Sequence, residues 1–219
     1  MKRRSKAGGT AEKAGGRKAT APKRRNAPDS ESKVMQLSRE LNEALEREIA
    51  TSDVLKVISS SPADVNSVFE AILESAGRLC NSKLPAVFRF DGALLHIAAT
   101  KNWPAAAMAA LSSRFPMPPN PHLTTGRVVL TKSVVIQEDT LADANYEQST
   151  ARAGRWRRML GVPMLREGDV IGVIVVAWQE PGPVLPRQVE LLQTFAAQAV
   201  IAVENARLLS ELRQRTNDL

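Results

Sequence analysis

Nine consecutive residues, Val170 to Trp178, leave no polar side chain on either face of an extended strand. Ile171, Val173, Val175 and Ala177 would share one face, and Val170, Ile174, Val176 and Trp178 the other. Such a strand is stable only when both of its faces are covered. Just before it, Arg166-Glu167-Gly168-Asp169 supplies a tight reversal in which Gly168 is free to take a positive φ. The strand therefore pairs with the apolar segment that precedes it, residues 159–167. The rest of the chain has to provide two covers for one sheet.

Helical periodicity supplies the first cover. Val34, Leu37, Leu41 and Ala44 or Leu45 recur every three or four residues, with Glu40, Glu43, Glu46, Arg47 and Glu48 on the other faces. This pattern predicts a solvated helix with one apolar seam, suited to a partner helix and ended by Ser61-Pro62. A second helix starts at an Asp64 cap and buries Val65, Val68, Phe69, Ile72, Leu73, Ala76 and Leu79. The chain closes with a long helix begun by Pro186. Its first part would lie on the sheet through Val189, Leu192, Phe195, Ala196, Ala199 and Val203. Its last part offers a thin seam of Ala206, Leu209, Leu212 and Leu219, expected to join the Val34–Ile49 helix and the same helices of a second chain.

The second cover comes from residues 101–158. Residues 84–90, a type I′ or related turn at Asp91-Gly92, and residues 93–100 predict a β-hairpin. A short helix follows Pro104, and residues 116–126 are too rich in proline for regular structure. Residues 126–132 predict a helical turn, 133–139 a short strand, and 140–158 a short helix with loops. An irregular, proline-rich segment over a sheet is the usual roof of a ligand pocket.

Charge is unevenly distributed. Residues 1–29 carry ten Lys and Arg against Glu12 and Asp29, a net +8, and since the whole chain is +7 the remainder sums to −1. With almost no large apolar side chain, residues 1–32 are expected to form a disordered basic tail capable of weak contact with nucleic acid. No apolar stretch follows these charges, so they do not make a secretory signal. The apolar run 191–203 is too short to span a membrane. The single cysteine, Cys80, forbids an intrachain disulfide and fits a reducing cytoplasm. Near the end of an amphipathic helix it is expected to be a buried small hydrophobe.

Two blocks carry a family resemblance. Residues 158–176, RMLGVPMLREGDVIGVIVV, with residues 180–209, EPGPVLPRQVELLQTFAAQAVIAVENARLL, resemble the C-terminal half of a GAF domain. The closest resemblance is to those of bacterial sensor histidine kinases and nucleotide cyclases. Residues 51–80 and 87–100 resemble the N-terminal half. Where relatives carry an aromatic and an acidic residue after Pro-Gly-Pro, this chain has Val184, Leu185 and Pro186. The resemblance implies an α+β fold: an antiparallel six-stranded sheet with helices on both faces, flanked by coiled-coil-like terminal helices, often dimeric and often in tandem. The implied organisation is a basic tail (1–32), a helical linker (33–50), the GAF domain (51–205) and a second helical linker (206–219). LSELRQRTNDL at the C-terminus echoes LSRELNEAL near residue 37, and both are similar to linkers between modules of such sensors. A signalling output supplied by another protein is the corresponding expectation.

The residues argue against several chemistries. His96 is expected in a strand and His122 in the proline loop, so neither suits a phospho-acceptor helix, although either could be an axial haem ligand. No Gly-rich nucleotide loop is present, and two scattered histidines with one cysteine give no metal spacing. Cys80 does not match the bilin-attaching cysteine of phytochrome-type relatives, and the cyclic-nucleotide pattern of other relatives is missing. Sulfoxide reduction, known on related folds, would need reactive cysteines. The candidate pocket residues are Trp103, with a ring to cap a pocket and an indole N–H for a polar ligand, His122, and Arg127, a cation for an anionic ligand. Arg152, Arg155, Arg157 and Arg158 around Trp156 are expected to form a solvated helix face. The expected function is a non-enzymatic sensory module of bacterial signal transduction that binds a small molecule or protein, its cofactor unspecified. A nucleic-acid-associated regulator anchored by the tail is the alternative.

Overall fold

The computed structural model describes residues 32–38 and 65–217. The expectations for the basic tail, for the Asp64 cap and for residues 39–64 lie outside them. Residues 32–38 are a helix (α1) belonging to a separate unit, with Val34, Met35 and Leu37 exposed. The main unit contains α2 (Val65–Cys80), β1 (Leu84–Phe90), β2 (Leu95–Thr100), α3 (Ala105–Ser112), α4 (Thr124–Thr131), β3 (Val135–Gln137), α5 (Gln148–Gly154), β4 (Arg158–Arg166), β5 (Asp169–Trp178) and α6 (Pro186–Asn217).

The doubly apolar strand, β5, is central. The sheet order is β2-β1-β5-β4-β3, and every neighbouring pair is antiparallel. The β4–β5 reversal pairs Arg166 with Asp169 across Glu167 (φ +53°) and Gly168 (φ +88°), two positive φ values that make the tight type I′ turn. On one face lie α2 and α6. Phe69, Ile72 and Leu73 of α2 and Leu192, Phe195 and Ala199 of α6 pack on Leu160, Val162, Ile174 and Val176. On the other face Val173, Val175 and Ala177 pack beneath the segment holding α3, α4 and α5. Each fully buried side chain of this size contributes about 1.5–3 kcal/mol through removal from water.

Four expectations need correction. First, the sheet has five strands among the described residues, not six. Met117 exchanges both backbone hydrogen bonds with Leu95 (2.8 and 3.1 Å) as a sixth strand would, but Pro116, Pro118 and Pro119 around it have no N–H to extend the ladder. Second, the two faces of β5 exchange at its start: Ile171 joins the helical side and Val170 the other. Met164 pairs with Gly172 and Leu165 with Val170, so Ile171 is the extra residue of a β-bulge. Third, the β1–β2 connection spans residues 91–94. The Asp91 carboxylate accepts the N–H groups of Ala93 (3.0 Å) and Leu94 (2.8 Å), replacing a two-residue turn by a side-chain-bonded loop. Fourth, the sheet-facing stripe of α6 continues through fully buried Ala206, which therefore cannot belong to an outward seam, while Leu209 is half-buried. The exposed large residues of α6 are Ile201, Leu208 and Leu212.

Candidate functional site

Beneath the second cover, five aromatic rings converge on one narrow cavity of about 20 Å³. Phe88 comes from β1, Trp103 and Phe115 flank α3, and Tyr146 and Trp156 flank α5. The rings meet across the space: Trp103 and Trp156 have centroids 4.9 Å apart, and Phe88 and Phe115 are 5.5 Å apart. These tilted pairs are favourable aromatic arrangements. Met159 and Val175 of the sheet form the floor, and Thr124, Thr125 and Thr150 supply the polar atoms. Among the described residues, no charged side chain lines the cavity.

Backbone geometry explains how Trp156 reaches it. Arg155 ends α5 in the left-handed region (φ +54°), which turns the chain sharply into β4. Trp156 is thereby carried inward, 1% exposed, and its ring lies against Gly154, where a Cβ would stand 1.7 Å from the ring. The arginines around it do not form a solvated helix face. Arg152 is exposed on α5 and Arg155 is the turn, whereas Arg157 makes a two-pronged ion pair with Asp139 and Arg158 begins β4 and lies over Trp178.

A buried hydrogen-bond chain runs through the site. The Trp156 indole N–H donates to the Tyr146 hydroxyl (3.3 Å), which donates to the Met159 sulfur (3.2 Å). Thr124 donates to the Gln137 side-chain oxygen and also stands 3.3 Å from the same sulfur. A thioether is a weak acceptor, so the phenol's proton rests on a poor partner. Burial pushes the Tyr146 hydroxyl up to about 12, and it stays a neutral donor. The Thr125 hydroxyl makes no hydrogen bond among the described residues, although Thr125 is only 6% exposed and faces the cavity.

Three ion pairs fasten the roof from outside: Arg114 with Glu147, Arg127 with Asp143 (2.5 Å), and Arg157 with Asp139. In each, the guanidinium holds the carboxyl below its usual range.

Of the three residues named from sequence, the structure brings only Trp103 to the cavity. Its ring lines the wall, but its indole N–H donates to the Leu84 carbonyl (3.4 Å) and is not offered inward. His122 is exposed, with Nδ1 2.7 Å from the Asn145 carbonyl oxygen. Arg127 is a roof fastener: besides Asp143, it donates to the Pro121 carbonyl (2.6 Å) and lies over the Tyr146 ring at 5.9 Å. Sequence reading missed Tyr146, Trp156, Met159 and Thr125. A usable signal was the pair of aromatics spaced ten residues apart in an otherwise polar segment, in a chain only 4% aromatic.

A sequence profile described as GAF domain matches residues 62–204. No curated protein sequence matches the chain significantly. Among solved structures, the chain is similar to the GAF domain of a phosphoenolpyruvate-protein phosphotransferase from Acinetobacter. The identity is 16%, with 75% of this chain and 97% of that one covered and a TM-score of 0.60. A domain from a protein of two-component sensor histidine kinase type from Sinorhizobium meliloti matches at 16% identity, covering 69% and 98%, with a TM-score of 0.56. A free methionine-R-sulfoxide reductase from Neisseria meningitidis, solved with its substrate, matches at 16% identity, covering 77% and 93%, with a TM-score of 0.59. At these identities the likeness is one of fold.

Proposed function

Because the chain belongs to the GAF domain family, we propose that it is a non-enzymatic sensory module of bacterial signal transduction. In this reading it works in the cytoplasm as a homodimer, and its cavity takes a small neutral ligand. The observation that carries the reading is the cavity's polar content. One uncommitted hydroxyl, Thr125, and one phenol donating only to sulfur, Tyr146, stand among five aromatic rings with no charge to meet an anion or cation. A ligand with an aromatic or apolar body and one or two hydrogen-bonding groups would satisfy both. The rings now touch across the space, so binding requires them to part, and the parting would press on α3, α5 and β5. Strand β5 leads through residues 179–185 into α6, a route from cavity to terminal helix that an output protein acting in trans could read.

Catalysis of the sulfoxide-reductase kind is disfavoured by position and by acidity. Cys80 packs in the core on the helical face of the sheet, whereas the cavity lies on the opposite face. Burial pushes its thiol up to about 12, far from the thiolate a nucleophile needs. Native mass spectrometry of the full chain purified from its own host tests the proposal. A small neutral adduct is expected in the wild type and is expected to be lost in Thr125→Val. A wild type that carries no adduct makes the cavity packing alone.

A further inference from the structure

A second recess, of about 470 Å³ and partly open to solvent, is lined by Asn81, Lys83, Asn102, Arg158, Trp178 and Glu180 among others. Lys83 and Glu180 are both exposed, and their charges offset each other. Arg158 is different. Its guanidinium lies over the Trp178 ring, 4.4 Å from the centroid, and Nη1 donates to the Pro183 carbonyl at 2.8 Å. The Nε–H is buried without a hydrogen-bond partner, the single side-chain nitrogen or oxygen in that condition among the described residues. No carboxylate pairs with this half-buried cation among the described residues. Buried donors are normally satisfied, and buried charges are normally paired, so the arrangement lacks an acceptor of negative charge.

We propose that this recess binds a small anion, a carboxylate or a phosphoryl group, at the Arg158 guanidinium, whose buried and unpartnered Nε–H reaches the anion when the side chain tilts off Trp178 into the recess. Turned outward, the Nε–Nη2 edge would present two parallel N–H donors at the spacing of two carboxylate or phosphate oxygens. Stacking on Trp178 and the bond to Pro183 already hold the guanidinium at the wall of the recess, so a local turn of one side chain is all that binding requires. Pro183 lies three residues before α6, so an occupied site steadies the root of that helix. The recess is separate from the aromatic cavity, and the inference stands whether or not that cavity takes a ligand.

The test uses ¹H–¹⁵N spectra of arginine Nε–H groups in the full chain. Sodium phosphate and sodium acetate are titrated at constant ionic strength against sodium chloride, with the Arg158 signal assigned by through-bond correlation. A saturable shift of that signal at millimolar anion is expected. Saturation by phosphate alone identifies a phosphoryl ligand, by acetate alone a carboxylate, and by both the shared chemistry. In Arg158→Lys, followed by Trp fluorescence, affinity should fall at least about tenfold. In Arg155→Lys, an exposed control, it should not change. The proposal is overturned if the Arg158 signal responds to neither anion, if chloride gives the same response, or if a folded Arg158→Lys binds as well as the wild type. The wild-type titration decides alone should that variant fail to fold.

Discussion

Gly154 and Trp156 act together: a missing side chain on α5 makes the space that an indole two residues later occupies. Any Cβ at position 154 would meet the ring at 1.7 Å, so one of the two has to move. Gly154→Ala is expected to lower stability by about 1–3 kcal/mol, the usual range for overpacking a core. In a unit of this size that lowers the thermal midpoint by several degrees. Thermal unfolding followed by Trp fluorescence measures it, and an unchanged midpoint would mean that the indole is not fixed where it stands. This residue pair also shows what the sequence hid. Arg-Trp-Arg-Arg reads as one polar face if the chain runs straight, yet a left-handed residue at Arg155 sends Trp156 inward and its neighbours elsewhere. Trp103 was found because strand ends bordering a loop are ordinary pocket walls. His122 and Arg127 were named for their chemistry, and folding tied both to backbone carbonyls that no sequence pattern announces.

The roof elements are fastened by carboxylates and the helical side by apolar contact, so acid should separate the two. Asp139, Asp143 and Glu147 have folded pKa values below their unfolded ones, each chiefly through a hydrogen bond from its arginine. Their contribution is therefore complete above the unfolded values, about pH 4, and is lost as pH falls through the lowered folded values. Below about pH 4 the near-ultraviolet circular dichroism of Trp103 and Trp156 should fade before the far-ultraviolet signal of α2, α6 and the sheet. Simultaneous loss of both would show that these pairs do not hold the roof. Among the elements, β4, β5 and α6 were legible because long periodic apolar runs and an acidic-glycine turn survive any tertiary context. The bulge at Ile171 was not, since it depends on which Met164 neighbour pairs with β5. The missing sixth strand was legible in principle: three prolines around Met117 forbid a ladder whatever a family average contains.

Whether copies of the chain associate is decided at the scale of the whole molecule. Ile201, Leu208 and Leu212 are 54%, 47% and 61% exposed, and their spacing of seven and four residues puts them along one stripe of α6. Such a stripe is the form that paired helices bury. Full-length protein should sediment as a dimer at roughly tens of micromolar, the range of a modest interface. Changing all three residues to Glu should yield a monomer with unaltered far-ultraviolet circular dichroism. A monomeric wild type would leave α6 as a cover for the sheet and nothing more. The proline-bounded bridge at Met117 bears on this choice of surface. One margin of the sheet is occupied at Leu95 by a segment that cannot propagate pairing, and the other ends in β3, only three residues long. Open strand margins are where chains join into ribbons and aggregates. A protein blunted at both margins is guarded against runaway polymerisation, which leaves helix-to-helix contact as the safe way for copies to meet.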